Sequence, residues 1–301
     1  GQAWAFQHDG RAALSLVLAT ARAHAGHGFG GEARAAIDQA LALPEAAAAT
    51  AERAALLYCR GVVEFLADQI DAAEHSMAQT LALSRDLNLD LGQAAAHYFL
   101  GRLAFLAGDA QRTEGHLDAS ATTLAEAGET ADWSHVLAVL AEVVMFRGDL
   151  QRSRALHSQA MARPLPPEQR HQMFRSVGGL AELALVEGDF ARAQQLAEEC
   201  LALCRQKDHP VETAWLLTCL GEIATRRGDY AAAHAALDEA LELGRRVGAY
   251  WRVVIVRADL GDLAVAEGKP GEELRLYRET LPILLQRGVF AHPQGSLRLA
   301  C

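Results

Sequence analysis

The stretch LGEIATRRGDYAAAHAALDEALEL, from Leu220 to Leu243, shows a pattern that recurs along the whole chain. Steps of 40 residues from its Gly228 reach Gly28, Asp68, Gly108, Gly148, Gly188 and Gly268. Steps of 40 from its Gly221 reach only alanine or glycine, at positions 21, 61, 101, 141, 181 and 261. Because both series stay in phase without an insertion, the sequence predicts seven copies of one structural unit.

Each unit is predicted to be a hairpin of two helices. A glycine enters the left-handed conformation that ends a helix without steric cost. An aspartate, which can cap the next helix, follows four of the glycines, at Asp109, Asp149, Asp189 and Asp229. The first helices are expected near 11–27, 53–67, 93–107, 133–147, 173–187, 213–227 and 253–267. The second helices are expected near 30–43, 70–87, 110–127, 150–162, 190–206, 230–247 and 270–287, with turns at 28, 68, 108, 148, 188, 228 and 268.

Small residues are expected where the two helices of a hairpin touch. The Gly221 series supplies them on the first helix, and a series through Ala240 supplies them on the second helix. The members of the latter are Ala40, Thr80, Ser120, Ala160, Cys200, Ala240 and Thr280. Bulky side chains at these positions would hold the two backbones apart.

The spacing within one unit resembles the tetratricopeptide repeat, through Leu217, Leu220, Gly221, Ala224, Ala233, Leu237 and Ala240. That repeat is usually about 34 residues long, whereas this one has longer helices and only sporadic loop prolines, Pro44 and Pro210. The resemblance implies an all-α, right-handed α-solenoid of seven helix-turn-helix hairpins over residues 1–288, with residues 289–301 as a tail or linker. The 40-residue form is similar to the arrays of large bacterial LuxR-type and SARP-type regulators and STAND-type signalling ATPases.

Composition and motifs argue against several classes of function. The net charge is −10 and no Lys/Arg-rich run occurs, which disfavours direct nucleic-acid binding. No apolar run is long enough to span a membrane, and the five cysteines lack metal-binding or disulfide spacing, so a cytoplasmic location is expected. No nucleotide-binding, metalloprotease or nucleophile motif is present. His24 and His27 lack an identifiable third metal ligand. We therefore predict a non-enzymatic chain with no cofactor and no metal.

The resemblance also implies a site, because the first helices of tetratricopeptide arrays line a concave groove. The corresponding residues are Tyr58, Phe65, Tyr98, Arg102, Phe105, His135, Glu142, Arg175, Glu182, Trp215, Glu222 and Asp262. The earlier members are mainly aromatic, and the later ones include four carboxylates on an exposed helix face. Two alternatives remain at this point. The carboxylates could be merely solvated, with Arg226 neutralising Glu222, and the aromatic rings could pack between repeats.

The function expected from these observations is binding of a protein or peptide segment in the groove, without catalysis. The chain would be the interaction or sensor region of a larger bacterial signalling or transcription regulator. One alternative is a small-molecule-sensing or autoinhibitory solenoid of a STAND-type regulator. Another, which the missing motifs disfavour, is an enzyme built on a helical-repeat scaffold.

Overall fold

A computed structural model describes residues 9–24, 30–67, 69–163, 173–247 and 250–287. Within these ranges there are fourteen α-helices, one short 3-10 turn at Pro44–Ala46 and no strand. The helices are α1 (Gly10–His24), α2 (Gly30–Leu41), α3 (Ala51–Leu66), α4 (Ile70–Asp86), α5 (Asp90–Leu106), α6 (Ala110–Ala127), α7 (Thr130–Phe146), α8 (Leu150–Ala162), α9 (Phe174–Val186), α10 (Phe190–Gln206), α11 (Pro210–Arg227), α12 (Tyr230–Arg246), α13 (Tyr250–Ala266) and α14 (Pro270–Arg287). The turn predicted at 28, Asp68 and the tail 289–301 lie outside the described residues.

The first helices of several repeats begin earlier than predicted. Helices α5, α7 and α11 begin at residues 90, 130 and 210, three residues before the predicted starts. Pro210 was therefore wrongly predicted as a loop residue, since it is the first residue of α11. Proline is favoured there because the first amide of a helix has no intrahelical acceptor and proline lacks that N–H.

The predicted turns at 108, 148, 188, 228 and 268 are confirmed. The glycine at each has a φ between 74° and 85°. At Gly228 the amide donates to the Thr225 carbonyl at 3.1 Å, and the Asp229 amide donates to the Ala224 carbonyl at 3.0 Å. The Asp229 carboxylate then accepts from the Ala232 amide at 3.1 Å. The three other aspartates cap α6, α8 and α10 in the same way.

A second set of left-handed residues, which the sequence analysis missed, ends the second helices of the hairpins. Gly128 has a φ of 77°, and Asn88 and Asp208 have a φ of 54°. These residues are themselves separated by 40 or 80 positions, so the same repeat signal could have revealed them. Asn and Asp are the non-glycine residues that adopt this conformation most readily.

The close contact predicted within each hairpin is confirmed. A Cβ atom built on Gly221 would lie 2.6 Å from Leu237 Cγ, and one on Gly101 would lie 3.0 Å from Leu117 Cγ. The residues of the Ala240 series are all buried, none more than 2% exposed. Small residues on one helix therefore accept the large side chains of the other, which allows the two backbones to approach.

The chain divides into two compact units. Helices α1 to α6 form the first, except that residues 105–108 group with α7 to α14 in the second. In the second unit the first helices of successive repeats, α7, α9, α11 and α13, pack side by side. Their common side carries the site described next.

Candidate functional site

Helices α9, α11 and α13 surround a narrow recess in the second unit, with a cavity volume of about 20 Å³, which is room for one water molecule. It is lined by Glu182, Trp215, Thr218, Cys219, Glu222, Arg252, Ile255, Ala258 and Asp259. Three of these residues, Glu182, Trp215 and Glu222, were predicted from the sequence. Arg252 and Asp259 were missed, although the three charged residues within the otherwise apolar run WRVVIVRADL, Arg252, Arg257 and Asp259, were a signal for them.

Two glycines of α9 shape the surroundings of the recess. A Cβ atom on Gly178 would lie 2.6 Å from Trp215 Cζ3, so the absence of a side chain allows the indole ring to lie against α9. A Cβ atom on the next residue, Gly179, would overlap the imidazole of His157 from α8. Gly178 therefore makes room for the ring of Trp215 from α11, and Gly179 makes room for that of His157 from α8. As a result Trp215 is buried and forms one wall of the recess.

Three carboxylates and one guanidinium line the recess, and one of the carboxylates, that of Glu222, also pairs with Arg226. Glu182, Arg252 and Asp259 are only 7%, 6% and 5% exposed, and Glu222 is half-buried. Burial lowers the pKa of Arg252 to about 10, against the opposing effect of Glu142. The guanidinium therefore stays charged at neutral pH, and Glu182, which lines the recess, favours this charged form as Glu142 does. Burial also raises the pKa of the Cys219 thiol, and Glu182 reinforces that shift, so Cys219 contributes no charge.

The prediction of an exposed row of carboxylates is wrong for most of its members. Glu182 is buried, and Glu142 pairs with Arg175 across α7 and α9. Glu222 accepts a hydrogen bond from Arg226 at 2.6 Å, as the sequence spacing suggested. Only Asp262 is exposed. The reason is that neighbouring first helices pack closely and cover this side of α9, which a single-helix pattern does not show.

His157 of α8 packs against Gly179 of α9. Neither of its ring nitrogens makes a hydrogen bond to the described residues. The side chain is 1% exposed. Burial lowers its pKa to about 4, while Glu142 acts to raise the value and Arg175 to lower it further. Its series at 40-residue steps contains Leu117 and Leu237, so this polar ring stands where other repeats place core side chains.

The first unit brings together four of the predicted residues: Tyr58, Phe65, Tyr98 and Arg102. The ring of Phe99, which was not predicted, lies between them, and its centroid is 5.3 to 5.7 Å from those of the three aromatic residues. These rings are half-buried, so they both pack against the helices and reach the surface.

The remaining predicted residues lie apart from these two groups. Phe105 groups with the second unit, where its ring centroid lies 6.1 Å from that of Phe146. His135 is half-buried on α7, and neither His135 nor Asp262 lines the recess. In the described ranges, no helix is both long and apolar enough to cross a membrane. The same ranges contain no cluster of three potential metal ligands.

Comparison with known proteins supports the repeat assignment. Residues 211–286 match the tetratricopeptide repeat family. No curated protein sequence matches the chain significantly.

Solved structures with a similar fold are numerous. A Rap protein complexed with competence and sporulation factor has a TM-score of 0.74 at 12% identity, covering 93% of this chain and 77% of that one. The Rap conjugation gene regulator of plasmid pLS20 in complex with the Phr* peptide has a TM-score of 0.66 at 12% identity, covering 84% and 70%. Aspartyl phosphate phosphatase F from Bacillus subtilis has a TM-score of 0.61 at 10% identity, covering 86% and 67%. At these identities the likeness shows the fold: an all-α array of tetratricopeptide-like hairpins.

Proposed function

We propose that the chain is a peptide-binding or protein-binding module whose ligand places a basic group at the mouth of the recess of the second unit. The carrying observation is that three carboxylates, Glu182, Glu222 and Asp259, line this recess with one guanidinium, that of Arg252. Burying charge is costly unless opposite charge compensates it. A lysine or arginine side chain of the ligand would join Arg252, and the Arg226 that pairs with Glu222, on this acidic surface, and Trp215 would offer its ring to the same cation.

The comparisons support a peptide as the ligand class. One structure of similar fold holds a Phr* peptide, and another holds competence and sporulation factor. The proposal extends to context: the chain is a cytoplasmic sensor region of a larger bacterial regulator, of the LuxR, SARP or STAND kind. One similar structure is described as a conjugation gene regulator. The assignment to a LuxR, SARP or STAND regulator rests on the resemblance of the 40-residue repeat to the arrays of those proteins.

Catalysis is the competing function, because aspartyl phosphate phosphatase F has a similar fold. A direct assay of acetyl phosphate hydrolysis by the purified chain distinguishes catalysis from binding. We expect no release of phosphate above the uncatalysed rate. Hydrolysis that is lost on Glu222→Gln substitution would replace the binding proposal with an enzymatic one.

The binding proposal is tested with a defined mixture of hexapeptides that contain lysine, glutamate or neither. The immobilised chain is expected to retain the lysine-containing peptides, and mass spectrometry identifies them. The affinity of the best peptide is then measured by calorimetry for the unmodified chain and for Glu222→Gln. We expect affinity to fall about tenfold in the variant, and added salt to weaken binding.

The matched control is Glu242→Gln, which removes an exposed carboxylate from α12 and should leave affinity unchanged. Equal retention of acidic and basic peptides would contradict the proposal. So would an affinity that responds equally to the two substitutions.

A further inference from the structure

Two histidines of the first unit, His97 and His116, are hydrogen-bonded to each other and form what we call the imidazole pair. Nδ1 of His97 on α5 lies 2.9 Å from Nδ1 of His116 on α6. A guanidinium nitrogen of Arg85, in the last turn of α4, lies 3.2 Å from Nε2 of His97. Both imidazoles are half-buried, and their centroids are 5.1 Å apart. The hydrogen bonds therefore connect three successive helices.

The imidazole pair occupies positions where other repeats carry leucine. Steps of 40 or 80 residues from His97 reach Leu57, Leu137 and, at 120, Leu217. Steps of 40 from His116 reach, among others, Leu156, Leu196 and Leu276. A Cβ atom built on Gly101 would lie 3.4 Å from His116 Cβ, so α5 and α6 are close together here. A polar ring in such a seam costs stability unless its hydrogen bonds are made.

Only one arrangement of protons satisfies both contacts. A guanidinium has donors and no acceptor, so Arg85 requires a bare Nε2 on His97. Neutral His97 then carries its proton on Nδ1 and donates it to the bare Nδ1 of His116, which carries its own proton on Nε2. A further proton on His97 would oppose the N–H of Arg85, and one on Nδ1 of His116 would oppose the N–H of His97. Both contacts are therefore intact only while both imidazoles are neutral.

The surroundings of the imidazole pair oppose its protonation. Burial, together with the nearby His116 and Arg85, lowers the pKa of His97 to about 4. Burial also lowers the pKa of His116; Arg112 of α6 acts in the same direction, Glu74 of α4 opposes it, and Arg85 again lowers it. Glu74 is paired with Arg112, so its carboxylate also compensates that guanidinium. An opened first unit would therefore bind a proton here more readily than the folded one.

We infer that the imidazole pair and Arg85 form a pH-sensitive lock that holds α4, α5 and α6 together at neutral pH and releases them on acidification. Each added proton breaks one of the two hydrogen bonds and places a positive charge beside another cation or donor. Arg85 argues against a metal ion at the pair, since it requires a proton on the His97 Nδ1 that would have to bind the metal. The lock lies in the first unit and shares no residue with the recess, so it is independent of the function proposed above.

The arrangement of protons is tested on the unmodified chain labelled with nitrogen-15 histidine. Long-range proton–nitrogen correlation NMR distinguishes the two neutral tautomers from the charged ring, and the spectra of His97→Leu and His116→Leu assign the signals. At pH 7.5 we expect the Nδ1–H tautomer at His97 and the Nε2–H tautomer at His116. The Nε2–H tautomer at His97, or a charged ring at either position, would overturn the inference.

The contribution of Arg85 is tested by titrating the same signals. In Arg85→Gln the side chain can accept as well as donate, so His97 should gain its proton at a higher pH than in the unmodified chain. The matched control is Arg11→Gln, which removes an exposed arginine of α1 and should leave the titration of His97 unchanged. Equal midpoints in Arg85→Gln and the unmodified chain would contradict the lock.

Release of the helices is measured by hydrogen exchange with mass spectrometry at pH 7.5 and pH 5.0, with each rate divided by the intrinsic rate at that pH. From the pKa of about 4 for His97, against 6.5 for an ordinary histidine, opening should become about 30-fold more favourable at pH 5.0. Protection of peptides from α5 and α6 should fall by about that factor.

The variant that carries both His97→Leu and His116→Leu restores the residue found in other repeats, and its α5 and α6 should be equally protected at the two pH values. His75→Leu, which alters an exposed histidine of α4, should behave as the unmodified chain does. Protection of α5 and α6 that does not change with pH in the unmodified chain would overturn the inference. So would an equal loss of protection at pH 5.0 in the double variant.

Discussion

Replacing His157 with leucine should remove a loss of folding stability that the second unit suffers as the pH falls. The imidazole is buried on Gly179, and neither ring nitrogen has a hydrogen-bond partner among the described residues. Leucine occupies the corresponding position in two other repeats, as Leu117 and Leu237. The substitution therefore keeps the core position filled and deletes the titrating group.

The magnitude follows from the pKa of His157, which is about 4 in the folded chain compared with 6.5 for an ordinary histidine. Because the folded pKa is the lower one, the unfolded chain binds the proton more readily. The folded state is then fully stable above pH 6.5 and loses stability as pH falls from 6.5 toward 4. For these two values the loss is about 2 kcal/mol at pH 5 and approaches its limit below pH 4.

The assay is urea unfolding at pH 7.5 and pH 5.0, followed by tryptophan fluorescence. Three of the four tryptophans, Trp133, Trp215 and Trp251, belong to the second unit, so most of the signal reports on the part that contains His157. The difference in unfolding free energy between His157→Leu and the unmodified chain should increase by about 2 kcal/mol on going to pH 5.0. His75→Leu, which alters an exposed histidine on α4, should show no such increase. An equal difference at both pH values for His157→Leu would refute the reasoning.

Three further substitutions test the packing and the caps, each by thermal or urea unfolding. Gly221→Leu should cost roughly 1–3 kcal/mol or more, because even a Cβ would lie 2.6 Å from Leu237; Glu242→Leu, at an exposed site, should cost little, and similar midpoints would show that the predicted seam is wrong. Asp229→Ala should cost about 0.5–2 kcal/mol through loss of the bond to the Ala232 amide, and an unchanged urea midpoint would mean that this cap contributes nothing. Glu182→Lys should clearly lower the melting temperature because the side chain is buried, and a melting temperature equal to that of the unmodified chain would show that it reaches solvent.

The sequence alone was sufficient for the hairpins, because local conformation determines them. The left-handed glycines, the capping aspartates and the small seam residues act within one turn or one hairpin. Their requirements recur every 40 residues, so each repeat confirms the reading of the others. The expectation that Tyr98, Arg102 and Glu222 lie on one side of the first helices came instead from the resemblance to the tetratricopeptide repeat.

Only the tertiary structure decided which of those side chains are buried and which meet. A periodic pattern assigns residues to one side of a helix but does not show how closely the next helix approaches. Gly178 allows Trp215 to lie against α9, and the packing of α9, α11 and α13 encloses Glu182 together with Arg252. Whether a carboxylate is solvated or part of a charged recess depends on those distances between helices, which arise from the side chains of neighbouring repeats and not from the repeat itself.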